Sequence, residues 1–179
     1  MNHNIAQVLY HESTILSRLD EVAHEITTDY KDKDLTVIAI LNGSFIFMAD
    51  LLRRIPLSLQ MDTCSASSYK GTKSTGNVAL RLELADVSDR HILLLDDIYD
   101  SGLTIKAVKE SIEQSNALSV KSCALLSKAK AKGTTVDADY VGFQIPDAFV
   151  VGYGLDYNEK FRNLPYIGIL SEEAILKYQ

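Results

Sequence analysis

The chain has 179 residues, 46% hydrophobic and 23% charged, which is typical of a globular domain with a substantial core. Its formal net charge of −6 argues against a nucleic-acid backbone as the first choice of partner. The start, MNHNIAQVLY, does not predict a secretory signal, and no run of about 18 apolar residues predicts a membrane span. We therefore expect one domain, residues 1–179, in the cytoplasm.

The first half of the chain alternates helix and strand patterns. Apolar residues three and four apart over 12–30 predict an amphipathic helix with Ser13 as its N-cap. Residues 35–41, LTVIAIL, are a continuous apolar run typical of a strand covered on both faces. The remaining predictions are a helix at 45–54, a strand at 57–69, a loop at 70–77 and a half-exposed strand at 78–84.

The second half continues this alternation. The predicted elements are a strand at 91–95, a helix at 102–116, a strand at 120–127, a basic loop at 128–133, short strands at 140–145 and 149–154, and a helix at 171–178 capped by Ser171. The pattern predicts an α/β fold with a central parallel sheet flanked by helices. Ligands bind at the carboxyl ends of the strands in such sheets. Leu95 is predicted to end its strand, so a ligand is expected beside the residues that follow it.

The stretch HILLLDDIYDSGLTI, residues 91–105, places three aspartates at that point. Desolvated carboxylates are costly, so the cluster must face something that compensates its charge. The helix start that follows offers free N–H groups and a positive dipole end to a phosphate. Gly102 would allow close approach, and the hydroxyls of Ser101 and Thr104 would add hydrogen bonds. Since carboxylates beside a phosphate site usually hold Mg²⁺ or sugar hydroxyls, the stretch predicts a phosphorylated sugar.

The ordinary alternative is that Asp100 only caps the helix while Asp96 and Asp97 are solvated. A single aspartate here would more often be a cap, but three followed by Ser-Gly-x-Thr are harder to explain in that way. The glycine patterns of nucleoside triphosphatase and dinucleotide sites are absent from the sequence.

The segment LLLDDIYDSGLT, residues 93–104, resembles the phosphoribosyl pyrophosphate motif of type I phosphoribosyltransferases. The resemblance covers nearly the whole chain and points to the hypoxanthine-guanine branch. LNGSF at 41–45 resembles the pyrophosphate loop, SSYKGTKSTG at 67–76 the flexible lid, LLSK at 125–128 the strand ending in the purine-selecting lysine, and residues 145–168 the purine-binding segment. The fold this implies has a parallel sheet and a small hood formed by the chain termini.

The resemblance also implies a reaction. Phosphoribose would pass from phosphoribosyl pyrophosphate to N9 of hypoxanthine or guanine, giving IMP or GMP and pyrophosphate. Since the ribose becomes cation-like and the leaving group is highly charged, positioning and electrostatics would dominate catalysis. Mg²⁺ would neutralise the pyrophosphate and template the sugar.

Roles for the acidic motif follow from the resemblance. Asp96 and Asp97 would hold the ribose hydroxyls directly or through Mg²⁺, and Asp100 would serve as general base or proton acceptor near purine N7. The 5′-phosphate would be bound by the loop that contains Asp100, Ser101, Gly102, Leu103 and Thr104.

Lys128 matches the lysine that donates to purine O6. An ammonium group only donates hydrogen bonds, so it favours a 6-oxo group over a 6-amino group. Phe149 matches the aromatic residue that stacks on the base, and the backbone of Val150 would pair with its Watson–Crick edge. Without the resemblance, Lys128 would be assigned to a solvated basic loop and Phe149 to the core.

Asp156 matches a carboxylate of the purine pocket and second Mg²⁺ site, and Arg162 matches the arginine that grips pyrophosphate. The ordinary alternative for both is surface charge in a loop. Asn42 and Gly43 would contact pyrophosphate, and the Leu41–Asn42 peptide is expected to be cis, as it often is in the family.

Ser68 and Tyr69 belong to the predicted lid, residues 68–77, which would close over the transition state and exclude water. A disordered surface loop is the alternative. Three positions depart from the family pattern: Asn42 stands where many relatives carry Lys or Arg, Asp96 replaces a common Glu, and Ala148 replaces a charged residue of some relatives. These departures leave the preference among hypoxanthine, guanine and xanthine open.

Three rival functions remain at this point. An enzyme of the same fold could use xanthine or adenine, although Lys128 argues against adenine. A regulator that binds nucleotide or RNA would need a basic surface, which an acidic chain does not suggest. A sugar-phosphate-binding domain without chemistry is disfavoured because Asp100, Arg162 and a lid occur together. We expect small-molecule substrates, no nucleic acid or membrane partner, and a homodimer or homotetramer.

Cysteine and histidine residues add no further site. Cys64 and Cys123 lie far apart in strand patterns and are expected to be reduced thiols in the core. The four histidines, His3, His11, His24 and His91, lack the spacing of a metal site and are interpreted as structural or solvated.

Overall fold

The structure is a computed structural model that describes residues 3–67, 79–81, 86–100, 102–128 and 138–179. In chain order its elements are β1 (Ile5–Tyr10), α1 (Glu12–Asp29), β2 (Leu35–Leu41), α2 (Phe45–Leu52), β3 (Leu59–Ser67), β4 (Ala79–Arg81), β5 (His91–Tyr99), α3 (Leu103–Glu113), β6 (Ser119–Lys128), β7 (Tyr140–Ile145), β8 (Val150–Val151), β9 (Ile167–Leu170) and α4 (Glu172–Tyr178). The predicted lid with Ser68 and Tyr69, the predicted strand residues 82–84, and Ser101 lie outside the described residues.

The main sheet has six strands in the order β4-β3-β2-β5-β6-β7. The five strands from β3 to β7 in that order are parallel, and β4 pairs antiparallel to β3 at the edge. The prediction of a central parallel sheet flanked by helices is therefore confirmed.

Both faces of this sheet are covered. On one face α1 and α2 pack against alternate residues of the central strands, including Val37 and Leu93. On the other face α3 packs against the intervening residues, including Ile38 and Leu94. Strand β2 is buried from Leu35 to Ile40, which explains why its sequence is a continuous apolar run.

A second, small sheet has the order β1-β9-β8 and is antiparallel. It joins residues from both ends of the described chain and packs with α4 around Ile5, Val151, Leu170 and Ala174. Neither β1 nor β9 is among the strands predicted from the sequence. Strand β1 buries only its first residue, and its pairing with β9 has two register shifts, so it lacks the alternation that marks a strand.

Several predicted boundaries are corrected by the structure. Helix α1 begins at Glu12 with His11 as its N-cap, so Ser13 is not the cap. The prediction for α4 is confirmed, because the Ser171 hydroxyl accepts from Ala174 N at 3.2 Å. Helix α3 ends at Glu113. Strand β8 has only two residues because the chain leaves the extended conformation at the positive-φ residues Gly152, Tyr153 and Gly154.

The most consequential correction concerns β5. The strand does not end at Leu95 but runs to Tyr99, so Asp96 and Asp97 belong to the strand and not to a turn. The reason is the length of β6, which offers partners for the extra residues: Asp96 aligns with Ala124 and Tyr99 with Ser127.

Two further predictions concern the cysteines and the membrane. Cys64 and Cys123 are both free and buried, as expected for reduced core thiols. Among the helices in the described ranges, none combines the length and apolar character that a bilayer span requires.

Candidate active site

The candidate site lies where the order of strand addition in the sheet changes from one side of β2 to the other. After β2 the chain adds β3 on one side and later adds β5 on the other. The carboxyl ends of β2 and β5 are therefore adjacent, at the kind of switch point where α/β sheets bind ligands. The two ends lead into residues 42–44 and 100–102 respectively.

A cavity of about 290 Å³ opens at this switch point. It is lined by Ile40, Leu41, Gly43, Asp96, Asp97, Ile98, Tyr99, Asp100, Gly102, Thr104 and Ile105. The structure thus brings residues of the predicted sugar-phosphate motif and of the predicted pyrophosphate loop to one place.

Asp96 and Asp97 are carboxylates of unusual character. Asp96 is only 8% exposed, and burial, followed by the charge of Asp97, raises its pKa well above the usual range. Burial also raises the pKa of Asp97, although hydrogen bonds with Asp96 and Ile98 and the charge of Arg162 act in the opposite direction. The alternative of a solvated surface charge is therefore wrong for Asp96, whereas Asp97 is half-buried and faces both this cavity and the adjoining one.

The predicted pyrophosphate loop packs directly against Asp97. A Cβ atom on Gly43 would lie 1.8 Å from Asp97 Oδ2, so only glycine allows the present approach. Asn42 is exposed and does not line the cavity. The Leu41–Asn42 peptide is cis, as the family resemblance implied.

The start of α3 forms another wall of the cavity. Gly102 is the N-cap residue, with φ of 72°, and a Cβ there would lie 2.3 Å from the Tyr99 hydroxyl. Asp100 is therefore not the cap. Thr104 lines the cavity, whereas the Leu103 side chain is 57% exposed and does not. Gly102 has no side chain that could cap the helix, and a helix start of this kind is suited to an anion.

A second cavity of about 190 Å³ adjoins the first. It is lined by Asp97, Ile98, Asp100, Lys128, Ala148, Phe149, Val150, Leu155 and Asp156. Asp97, Ile98 and Asp100 line both cavities, so groups bound in the two would meet beside these side chains. Phe149 is 49% exposed and is therefore not an ordinary core residue; its ring meets that of Tyr157 edge to face at 5.1 Å.

Lys128 is the last residue of β6, not a member of a solvated loop, and its side chain is only 19% exposed. Its ammonium nitrogen lies 3.0 Å from Asp147 Oδ1 and 3.4 Å from Asp100 Oδ2. The hydrogen bond with Asp147 and the charge of Asp100 raise the pKa of Lys128. The ammonium is consequently a fixed positive donor at neutral pH.

Asp156 and Arg162 pair with each other beside these cavities. Arg162 Nη2 lies 2.9 Å from Asp156 Oδ1 and 3.3 Å from Glu159 Oε2, and Nη1 donates to Gly154 O at 2.8 Å. Asp156 lines the second cavity, but Arg162 lines neither in the described structure. The alternative of free surface charges is not supported, because each side chain is only 27% exposed.

Known proteins are similar in sequence to this chain over most of its length. The family model for the phosphoribosyl transferase domain matches residues 7–158. The chain belongs to the phosphoribosyl transferase family. It is 44% identical over 172 residues to the hypoxanthine-guanine phosphoribosyltransferase of Bacillus subtilis (strain 168), covering 95% of this chain and 96% of that protein. The family membership predicted from residues 93–104 is thereby confirmed.

Two further relatives extend the comparison. A crystal structure of a hypoxanthine phosphoribosyltransferase from Staphylococcus aureus is similar to this chain with a TM-score of 0.91 and 40% identity, covering 97% of this chain and 95% of that one. The bifunctional protein TilS/HprT of Listeria monocytogenes serotype 4b (strain F2365) is 43% identical over 175 residues, or 97% of this chain. This chain spans 27% of the length of that bifunctional protein.

The carboxylates of the candidate site suit Mg²⁺ only when a substrate shares in its coordination. Among the described residues, no three His, Cys, Asp or Glu side chains come together as a group that could hold a metal ion. Mg²⁺ typically binds one or two carboxylates together with waters and substrate phosphates. The neighbouring carboxylates of Asp96 and Asp97, and Asp156 beside the second cavity, fit that donor pattern.

Three residues near the candidate site carry no role predicted from the sequence. Tyr99 lines the first cavity, Asp147 pairs with Lys128, and Tyr157 contacts Phe149. Each lies close in sequence to a motif residue, but no sequence signal gives the direction of its side chain.

Proposed function

We propose that the chain catalyses the Mg²⁺-dependent transfer of phosphoribose from phosphoribosyl pyrophosphate to hypoxanthine or guanine. The observation that carries the proposal is the pair of adjoining cavities that share Asp97, Ile98 and Asp100. One cavity has an acid pair and a helix N-terminus, and the other has a fixed ammonium and an exposed aromatic face. A sugar phosphate and a 6-oxopurine are complementary to these two environments.

In this proposal the first cavity binds phosphoribose. The 5′-phosphate accepts hydrogen bonds from the N–H groups at the start of α3 and from the hydroxyls of Ser101 and Thr104. The ribose hydroxyls donate to Asp96 and Asp97, whose buried charge they compensate. The sugar is thereby oriented with its reacting carbon toward the second cavity.

The second cavity binds the purine. The base stacks on Phe149, and its Watson–Crick edge meets the backbone of Val150. Lys128 donates to O6, and Asp100 accepts the proton at N7 as the bond to N9 forms. Since the ammonium cannot accept a hydrogen bond, a 6-amino group has no partner there.

The pyrophosphate leaving group is bound by the loop of Asn42 and Gly43 and by Arg162. The guanidinium has five N–H donors, so its contacts within the protein leave donors for phosphate oxygens. The residues that would hold Mg²⁺ are Asp96, Asp97 and Asp156; the ion, when bound, neutralises the pyrophosphate and templates the sugar.

The remaining parts of the proposal rest on the sequence. Ser68 and Tyr69 would belong to a lid that excludes water from the cation-like ribose. The 179 residues would act as one domain, in the cytoplasm, and as a homodimer or homotetramer.

A turnover assay tests the proposal. The chain is supplied with phosphoribosyl pyrophosphate and Mg²⁺, and hypoxanthine, guanine, xanthine and adenine are offered in parallel. We expect turnover of hypoxanthine and guanine, lost on chelation of the metal and restored by Mg²⁺, with little or none of adenine. Folded protein that turns over none of the bases would overturn the proposal. The ratios among the 6-oxopurines would report the effect of Asn42, Asp96 and Ala148.

Lys128→Gln is expected to lower kcat/KM for hypoxanthine by about tenfold, the value of one charge-assisted hydrogen bond. The amide of Gln can accept as well as donate, so the ratio of hypoxanthine to adenine turnover should also fall. Lys128→Arg, which keeps the positive donor, provides the matched comparison. Parallel steady-state kinetics with both bases make the measurement, and an unchanged ratio in Lys128→Gln would assign the lysine no part in base selection.

Arg162→Ala is expected to raise KM for phosphoribosyl pyrophosphate by about tenfold, because it removes a charge-assisted contact with phosphate. The KM for hypoxanthine should change much less. Arg53→Ala is a suitable control, since the side chain of Arg53, the C-cap residue of α2, is 74% exposed and lines neither cavity in the described structure. Steady-state kinetics with each substrate varied in turn make the measurement. An equal effect of both changes would point to net charge and not to a contact made by Arg162.

A further inference from the structure

The segment that carries Asp156 and Arg162 has an unusual backbone. Four of its residues that are not glycine have positive φ values: Tyr153 at 52°, Asn158 at 47°, Glu159 at 61° and Phe161 at 75°. Such residues rarely adopt this conformation, and they keep it only where surrounding contacts hold them. The two functional side chains therefore depend on a structure that supports residues 157–161.

The C-terminal helix α4 supplies that support through Tyr178. Its backbone oxygen accepts from Asn158 Nδ2 at 2.5 Å. Its ring meets the ring of Phe161 edge to face, with centroids 5.4 Å apart and an interplanar angle of 80°. The ammonium of Lys160 lies 4.5 Å from the centre of the Tyr178 ring. One residue thus contacts three members of the segment, two of which have positive φ.

Helix α4 is itself held in place. Ser171 caps its N-terminus, and Ala174 is buried in a hydrophobic cluster with residues of β1, β8 and β9. The hydroxyl of Tyr157 donates to Ile175 O at 3.3 Å, which adds a second connection between α4 and the segment. Helix α4 therefore connects the small sheet to residues 157–161 through defined contacts.

We propose that Tyr178 is a positioning residue that fixes residues 157–161 and so aligns Asp156 and Arg162 for pyrophosphate. Tyr178 lines neither cavity in the described structure and would touch no substrate. This inference rests on the proposed function, because it assigns a purpose to the pairing of Arg162 with Asp156. Lys128, which selects the base in that proposal, lies outside the segment that Tyr178 contacts.

The test compares three variants of the whole chain. Tyr178→Ala removes the ring but keeps the backbone acceptor, Tyr178→Phe keeps the ring, and Leu176→Ala changes a side chain on the same helix that is 73% exposed. We expect Tyr178→Ala to raise KM for phosphoribosyl pyrophosphate about tenfold, the combined value of an aromatic pair and a cation–π contact. The KM for hypoxanthine should change less, because the ring of Tyr178 contacts Lys160 and Phe161 and neither Lys128 nor Phe149. Tyr178→Phe and Leu176→Ala should behave like the parent.

A binding measurement separates this inference from the proposed function. Calorimetric titration of each variant with pyrophosphate and Mg²⁺ should show a weaker affinity for Tyr178→Ala alone. If the unchanged chain binds pyrophosphate but turns over no base, the proposed function is contradicted. The pyrophosphate affinities of the variants would still test the role of Tyr178. The positioning role would be overturned by an unchanged pyrophosphate affinity in Tyr178→Ala, or by an affinity in Tyr178→Phe as weak as that of Tyr178→Ala. It would also be overturned if Tyr178→Ala lowered the melting temperature but left KM and affinity unchanged.

Discussion

Asp100→Asn is expected to lower kcat by about 100-fold or more, because it removes the group proposed to accept the proton at purine N7. Asn is nearly isosteric but cannot accept a proton, so the fold and the walls of both cavities should persist. The KM values for both substrates should change much less than kcat. Steady-state kinetics with hypoxanthine, together with thermal melting to verify the fold, make the measurement.

A matched control is available because two carboxylates share Lys128. Asp147 lies 3.0 Å from the ammonium, but it is 86% exposed and lines neither cavity in the described structure. Asp147→Asn should therefore change kcat by less than about fivefold, the upper range for an exposed ion pair. Comparable losses in the two variants would show that Asp100 acts by pairing with Lys128 and not as the proton acceptor.

Strand β5 shows what local sequence patterns can and cannot reveal. The apolar run and the aspartates after it correctly predict a parallel strand that ends beside a polar cavity. They do not predict that the strand continues to Tyr99, because the extra residues are paired by β6, and that pairing depends on a distant part of the chain. The burial of Asp96 follows from the same pairing and therefore could not be predicted from local sequence either.

The family resemblance implied a hood formed by the chain termini, but the strands of the small sheet and the side-chain pairs near the site were not predicted, for a related reason. Strand β1 pairs with β9, which lies near the other end of the chain, so neither carries a local signal that requires the other. The contacts of Lys128 with Asp147 and of Phe161 with Tyr178 likewise join separate elements. Residue types at the site could be predicted from motifs, whereas the contacts that orient them depend on tertiary structure.

Asp96→Asn is expected to raise the melting temperature of the free protein. Burial raises the pKa of Asp96 in the folded chain, so at pH values above the unfolded pKa this carboxyl destabilises the folded state relative to the unfolded one. Each unit of upward shift in pKa corresponds to about 1.4 kcal/mol, and 1 kcal/mol is about 2–4 °C in a domain of this size. Since a carboxyl with a raised pKa binds its proton more tightly when folded, stability falls as pH rises from the unfolded pKa, about 3.9, to the folded one.

The same change should lower the proposed activity of the protein while it raises the stability. Asn cannot accept two charge-assisted hydrogen bonds from the ribose or hold Mg²⁺ as a carboxylate does, so kcat/KM for phosphoribosyl pyrophosphate should fall at least about tenfold. Asp86→Asn is the control: Asp86 is exposed, and its hydrogen bonds with Ser88 lower its pKa, so this change should raise neither stability nor KM. Thermal melting across pH and steady-state kinetics make the two measurements. A lower melting temperature for Asp96→Asn would mean that the carboxyl group is compensated within the fold. A higher melting temperature together with a lower kcat/KM would show that this destabilising carboxyl group is retained for the substrate.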